Sequence, residues 1–216
     1  MFADLAGYTA LTEAHGDETA ADAAVDFCEA VRALLPEHQA EEVKPIGDAL
    51  LLRVPDAAHA AGLAERVICD YGARHRALGV RVGMHTGTAV RRGDDWFGSA
   101  VNIASRVADV ADAGEVLCTE ATREALGPAV PLRERGQAVF KNLVRPLQLY
   151  ELLLTKASGE RLPIDPVCRM AVDPARAVER RATPHGEYYF CSNDCARAFD
   201  EHPQSYLPGP SSPTTS

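Results

Sequence analysis

The chain opens on a short apolar run, Phe2 to Leu5, which predicts a strand fragment leading into Gly7-Tyr8-Thr9. A helix is expected next, with Leu11 in its first turn. Val25, Cys28, Val31 and Leu35 then recur at steps of three or four until Pro36 stops the helix. Glu42 to Val54 reads as a hairpin turning at Ile46-Gly47-Asp48, and the unbroken run Leu50-Leu51-Leu52 suits a strand covered on both faces. Asp56 caps a second helix whose stripe is Leu63, Val67, Tyr71 and Leu78, with Gly79 ending it. From Val80 to Thr86 apolar and polar positions alternate as in a strand. A loop is expected at Gly93-Asp94-Asp95-Trp96-Phe97-Gly98, before a short helix with Val101, Ala104 and Ala108 on one side. Glu115 to Cys118 is a further strand, Ala121 to Leu126 a helical turn or two, and Leu132 to Leu153 a terminal hairpin. Hairpins around a split strand–helix–strand unit define an α+β, ferredoxin-like sheet with helices.

Composition adds a boundary and some exclusions. The polar stretch Lys156-Ala157-Ser158-Gly159-Glu160 has no periodicity. It divides the chain into residues 1–155, a linker 156–163, a small Cys-containing C-terminal module 164–207, and a Pro/Ser/Thr-rich tail 208–216 expected to be disordered. Of six cysteines, Cys28, Cys69 and Cys118 sit singly in apolar segments, as buried small hydrophobes do. Cys168, Cys191 and Cys195 instead fall among Pro, His, Asp and Tyr. Lys+Arg 22 against Asp+Glu 31 gives a net charge of −9, which argues against nucleic acid or an anionic membrane as the main partner. No apolar run approaches the roughly 18 residues a membrane span needs. The first residues carry no basic region and no long apolar segment, so a cytoplasmic protein with mostly reduced thiols is expected.

Several polar residues have little to do in a purely structural account. Asp4 precedes Gly7-Tyr8-Thr9, where exposed backbone N–H groups at a helix start can hold a phosphate. Asp48 stands at a hairpin tip. Alone, each aspartate is an ordinary turn or cap residue; as a pair at one sheet edge they suit two divalent metals bridging a phosphate. Asn102 and Arg106, at i and i+4, put a carboxamide and a guanidinium one turn apart. On spacing alone a solvated helix face, with Arg106 paired to Asp109 or Asp112, explains them equally well. The only lysines are Lys44, Lys141 and Lys156, a weak hint that Lys44, near Asp48, and Lys141, in the last hairpin, serve as point-charge donors.

Taken together, five blocks in order resemble the catalytic domain of class III nucleotidyl cyclases, over about residues 1 to 155. They are Phe2-Ala3-Asp4-Leu5-Ala6-Gly7-Tyr8-Thr9, Lys44-Pro45-Ile46-Gly47-Asp48, Gly83-Met84-His85-Thr86-Gly87, Asp95 through Arg106, and Gly136-Gln137-Ala138-Val139-Phe140-Lys141. The resemblance implies that Asp4 and Asp48 hold two divalent cations (Mg or Mn), that Lys44 and Asp95 select the base, and that Asn102 and Arg106 act on the ribose and the transition state. It assigns Lys141 to the triphosphate. It further implies a homodimer in which one subunit supplies the metal carboxylates and the other the base-selecting and Asn/Arg residues. Adenine offers an acceptor at N1 and a donor at its amino group, which a lysine and an aspartate complement; guanine offers the reverse. The expected activity is therefore adenylate cyclase, acting on ATP in intracellular signalling, with a guanylate cyclase or a silent nucleotide- or metal-responsive regulator as alternatives. His85 is expected to be structural.

Residues 164 to 207 resemble a YHS domain through Asp165-Pro166-Val167-Cys168-Arg169-Met170, Gly186 to Cys191, Cys195, Phe199 and Pro203-Gln204-Ser205-Tyr206, with Arg169 where the family usually has Gly. Cys168, Cys191 and Cys195 could bind Zn or Cu(I), with His185, Asp165 or His202 as a fourth ligand. A metal-free packing module, or an oxidant-sensing Cys191–Cys195 pair, is the alternative.

Overall fold

The computed structural model describes residues 1–72, 74, 76–141, 143, 145–155, 162–184 and 186–206. Strand β1 (Phe2–Ala6) feeds helix α1 (Tyr8–Leu34), and the hairpin β2 (Glu41–Ile46) and β3 (Ala49–Arg53) follows. Helix α2 (Ala57–Arg66) continues through a π-helical turn (Val67–Tyr71) towards β4 (Gly79–Met84). The small arm β5 (Val90–Arg92) and β6 (Asp95–Phe97) precedes α3 (Ser99–Asp109), β7 (Val116–Thr119) and α4 (Glu120–Leu126). Strands β8 (Leu132–Ala138) and β9 (Leu147–Leu152) close the sheet, and the C-terminal part adds β10 (Glu179–Thr183), β11 (Gly186–Phe190) and α5 (Asn193–Glu201).

The main sheet has seven strands in the order β2-β3-β1-β4-β7-β9-β8. Its first four strands, with α1 and α2, are a ferredoxin-like βαββαβ unit, antiparallel throughout; β7 joins β4 in parallel. Side chains alternate across β1, so Ala3 and Leu5 enter the large core with Leu11, Phe27 and Val31 of α1 and Leu63 of α2. Phe2 faces the other way, packing with Leu51, Ala104 and Ala108 under α3. Leu50, Leu51 and Leu52 are all buried because β3 is covered on both faces. Pro45 lies in β2, the edge strand, where its missing N–H costs the sheet nothing, and a bulge between Glu42 and Lys44 interrupts the ladder there.

Asp56 does cap α2, accepting from the backbone N–H groups of Ala58 and His59 at 2.9 and 3.0 Å. Three expectations need correction. The apolar stripe of α2 does not run on to Leu78: the helical backbone ends at Gly72, and Leu78 instead bridges Met170 of the C-terminal part. Val25 is 55% exposed, and Phe27, in edge-on contact with Tyr71 at 5.4 Å, takes its place in the core. The stretch 93–98 is not simply a loop, since Asp95, Trp96 and Phe97 pair with Arg92, Arg91 and Val90.

The C-terminal part docks on the sheet domain and shares its core. Val167, Cys168, Met170, Phe190 and Phe199 belong to the same apolar cluster as Leu11 and Leu78. Backbone bonds Arg76 N–H to Ala171 O (2.7 Å) and Ala171 N–H to Ala77 O (2.8 Å) extend the contact.

Candidate functional site

Strand register builds the acidic edge. Asp4 lies opposite Ala49, the residue after Asp48, on one side and opposite Arg81 on the other. Arg81 donates from Nε to Asp4 Oδ2 at 2.7 Å, with a second nitrogen at 2.5 Å, while its remaining nitrogen reaches the carbonyl of Asp109 at 3.3 Å. Burial raises the Asp4 pKa despite the Arg81 hydrogen bond that opposes it, and the Asp48 charge adds to the rise. Burial raises Asp48 too. Two half-buried carboxylates that repel one another form an oxygen-only donor set, which fits hard divalent cations such as Mg or Mn. Helix α1 starts at Gly7, three residues after Asp4, without a side-chain cap, so its first N–H groups at Tyr8 and Thr9 are unclaimed by a capping side chain.

A second pair stands on the α3 face. Lys44 on β2 and Asp95 at the start of β6 form an ion pair at 2.5 Å, and this hydrogen bond lowers the Asp95 pKa. Asp95 Oδ1 also accepts from its neighbour's backbone at Trp96, and Arg53 stacks over the Trp96 ring at 4.9 Å, tying the arm to β3. On α3, the buried side is Ala100, Ala104, Val107 and Ala108, which leaves Asn102 exposed and Arg106 half-buried. Arg106 is not paired to Asp109 or Asp112 among the described residues: the Asp109 carbonyl serves Arg81, and Asp112 lies 4.0 Å from Arg135. Lys141 is exposed just after the buried Phe140. Among the described residues, no hydrogen bond or ion pair joins Asn102, Arg106 or Lys141 to either aspartate. His85 bonds through Nδ1 to Thr119 Oγ1 at 2.8 Å, and burial lowers its pKa.

The three C-terminal thiols converge. Cys168 and Cys191 Sγ are 3.4 Å apart and Cys191 and Cys195 Sγ 3.8 Å. Hydrogen bonds from Cys168 and Cys191 lower the pKa of the Cys195 thiol, while the same sharing raises that of Cys168. Of the fourth ligands considered, Asp165 is fully buried but spent on backbone N–H groups of Val167, Cys168 and Cys191. His202 caps the end of α5 outside the group, and His185 lies outside the described residues. The group is completed by His15 of α1, whose Nε2 lies 3.3 Å from Cys191 Sγ and 3.4 Å from Cys195 Sγ.

Sequence reasoning missed Arg81 and His15, and noted Arg169 only as a departure from the YHS pattern; Arg169 packs over Gly7 and lines a cavity of about 250 Å³ with Arg81. Arg81 could have been found from strand alternation only if the β1–β4 register were known.

The ferredoxin-like unit extended by β7, β9 and β8, with α3 on its other face, is the class III cyclase fold. The chain belongs to the family of the adenylate and guanylate cyclase catalytic domain, whose profile matches residues 1–152, and residues 164–209 match the YHS domain. It is 38% identical over 128 residues to a pH-sensitive adenylate cyclase of Mycobacterium tuberculosis, covering 59% of this chain and 32% of that protein. An adenylate cyclase of Streptomyces griseus is 35% identical over 116 residues, 54% of this chain and 29% of that protein. This chain thus spans about a third of the length of these relatives. Adenylate cyclases from Trypanosoma brucei, solved in their monomeric state, share the fold with a TM-score of 0.67 at 22% identity, over 80% of this chain and 91% of that one. No helix among the described residues is long and apolar enough to cross a membrane.

Proposed function

We propose that residues 1–155 act as an adenylate cyclase, turning ATP into 3′,5′-cyclic AMP and pyrophosphate at sites shared between two copies of the chain. In this reading residues 164–207 form the YHS-type module, and 156–163 link the two. The Lys44–Asp95 pair carries the choice of base: held at 2.5 Å, it offers one donor and one acceptor side by side, the complement of adenine N1 and its amino group. Guanine would set donor against donor and acceptor against acceptor, a mismatch that typically costs far more selectivity than a shape difference. The adenylate cyclases among the relatives support the same choice.

The reaction joins the ribose 3′-oxygen to the α-phosphorus and breaks the bond to the β-phosphate, whose oxygen leaves with the electron pair as pyrophosphate; the hydroxyl proton goes to solvent. Divalent ions on Asp4 and Asp48 would acidify the 3′-hydroxyl and neutralise the triphosphate. Asn102 holds the ribose so that its hydroxyl lies in line with the leaving group. Arg106 places positive charge on the α-phosphate as the transition state forms, and loss of such a donor typically costs ~10²–10³ in rate. Lys141 and the N–H groups at Tyr8 and Thr9 bind the phosphates that depart.

The test is product analysis of the purified chain incubated separately with ATP and GTP plus Mn. Cyclic AMP from ATP, with little cyclic GMP from GTP, is the expected result. In the Lys44→Glu/Asp95→Cys double variant the preference should move towards GTP. No cyclic product from either nucleotide, or an unchanged preference in a folded double variant, overturns the reading.

A further inference from the structure

We propose that His15, Cys168, Cys191 and Cys195 form a tetrahedral Cys₃His site for a zinc-class cation, a site that fastens the cyclase domain to the YHS domain. All four ligand atoms lie within 4.8 Å of one another. Around a tetrahedral zinc with Zn–S about 2.3 Å and Zn–N about 2.0–2.1 Å, neighbouring sulfurs fall about 3.8 Å apart and sulfur and nitrogen about 3.6 Å. The observed sulfur spacings are 3.4 and 3.8 Å, and the sulfur–nitrogen spacings 3.3 and 3.4 Å. Four of the six edges of the coordination tetrahedron are thus within about 0.4 Å of their ideal lengths, and the two that involve Cys168 with Cys195 and with His15 are at most 4.8 Å.

Two features of the surroundings fit a metal centre better than a packing core. Asp165, buried in an apolar module, accepts from the backbone N–H groups beside two of the thiols, Cys168 (3.4 Å) and Cys191 (2.8 Å). A carboxylate spent on locking ligand backbones is the outer-shell support that metal sites use. Ser192 fixes the third by accepting from Cys195 N–H at 3.1 Å. On the other side, α1 breaks immediately after His15: Gly16 has φ 82° and ψ 170°, a conformation that glycine alone adopts without strain. The break separates the turn that carries His15 from the rest of the helix and lets its ring face the thiols.

Three thiols and an imidazole select a borderline or soft ion over Mg or Ca. Thiol protons leave to solvent as the sulfurs engage, and no redox change is involved. The site joins segments far apart in the chain, since His15 and Cys191 are 176 residues apart. Its reach extends to the acidic edge, because Arg169, next to Cys168, packs on Gly7 at the start of α1.

The experiment uses the full chain, reduced and stripped of metal, titrated with Co²⁺ and separately with Zn²⁺, with hydrogen exchange followed in residues 8–15. One ion per chain, near-ultraviolet sulfur-to-cobalt charge-transfer bands and slower exchange in residues 8–15 are expected. His15→Ala should weaken binding by at least ~10-fold and abolish the exchange effect. His15→Cys should keep both, which also controls for a variant that merely misfolds. Absence of metal binding by the reduced chain, or His15→Ala binding as tightly as the unaltered chain, would overturn the site. Neither readout depends on cyclase activity, so this proposal and the proposed function fail separately.

Discussion

Asp4 and Asp48 are kept partly out of water in a form that disfavours their charge. Burial lifts both pKa values, and for Asp4 the Arg81 hydrogen bond only partly counters it. A carboxylate whose folded pKa exceeds its unfolded value makes the native state bind protons more readily. Stability from this source is greatest at low pH and falls as pH rises from the ordinary carboxylate range through the raised value. Asp48→Asn should therefore unfold at an equal or higher temperature at pH 7 without metal, yet lose ~10²-fold or more of cyclase activity. Thermal melts with and without Mn check this: the ion should raise the midpoint of the unaltered chain more than that of the variant. A clearly lower midpoint for metal-free Asp48→Asn would refute it. His85 has the opposite sign. Its pKa, lowered by burial from 6.5, makes the folded state resist protonation, so its contribution is present at neutral pH and is lost as pH falls below about 6.5. His85→Asn should flatten the loss of thermal stability between pH 7 and pH 5.

At the scale of elements, α3 is placed by one glycine. Gly83 on β4 faces it, and a Cβ there would overlap the backbone nitrogen of Ala108 and the carbonyl oxygen of Ala104. Backbone cannot yield as a side-chain tip can, so Gly83→Ala must displace α3. Overpacking of this kind typically costs ~1–3 kcal/mol, measurable by urea unfolding. Because α3 carries Asn102 and Arg106, the cyclase rate should fall by more than the lost stability explains; an unchanged rate would detach those residues from the reaction. The elements that position the site were legible wherever local chemistry decides them. Asp56 caps, Gly47 and Asp48 turn the hairpin, and Leu50 to Leu52 fill a strand covered on both faces. What was illegible depends on partners distant in the chain. The α2 stripe continued to Leu78 by periodicity, but Leu78 is apolar because it meets Met170. The Asp4–Arg81 contact needs the strand register, and the meeting of His15 with the three thiols needs the docking of the two domains, which no local pattern encodes.

For the whole molecule, the proposed function divides the site between two copies of the chain. Asp4 and Lys44 both lie on the α3 face, since Asp4, two residues along β1 from Phe2, shares its face and Lys44 stands opposite Leu51, and both Phe2 and Leu51 pack under α3. Yet Asn102, Arg106 and Lys141 make no hydrogen bond or ion pair to the aspartates within one chain among the described residues. A two-fold partner would bring its α3 to this face and make two equivalent composite sites. Complementation between inactive variants tests the division. Asp48→Asn and Arg106→Ala should each form dimers by sedimentation and each lose activity. Mixed one to one after exchange of subunits, about half the dimers carry one of each, and each such dimer holds one intact site of two. The mixture should recover about a quarter of the unaltered activity, as two-fold symmetry requires. Activity no greater than that of the separate variants, with mixed dimers demonstrably formed, would place all the groups within a single chain and end the shared-site reading.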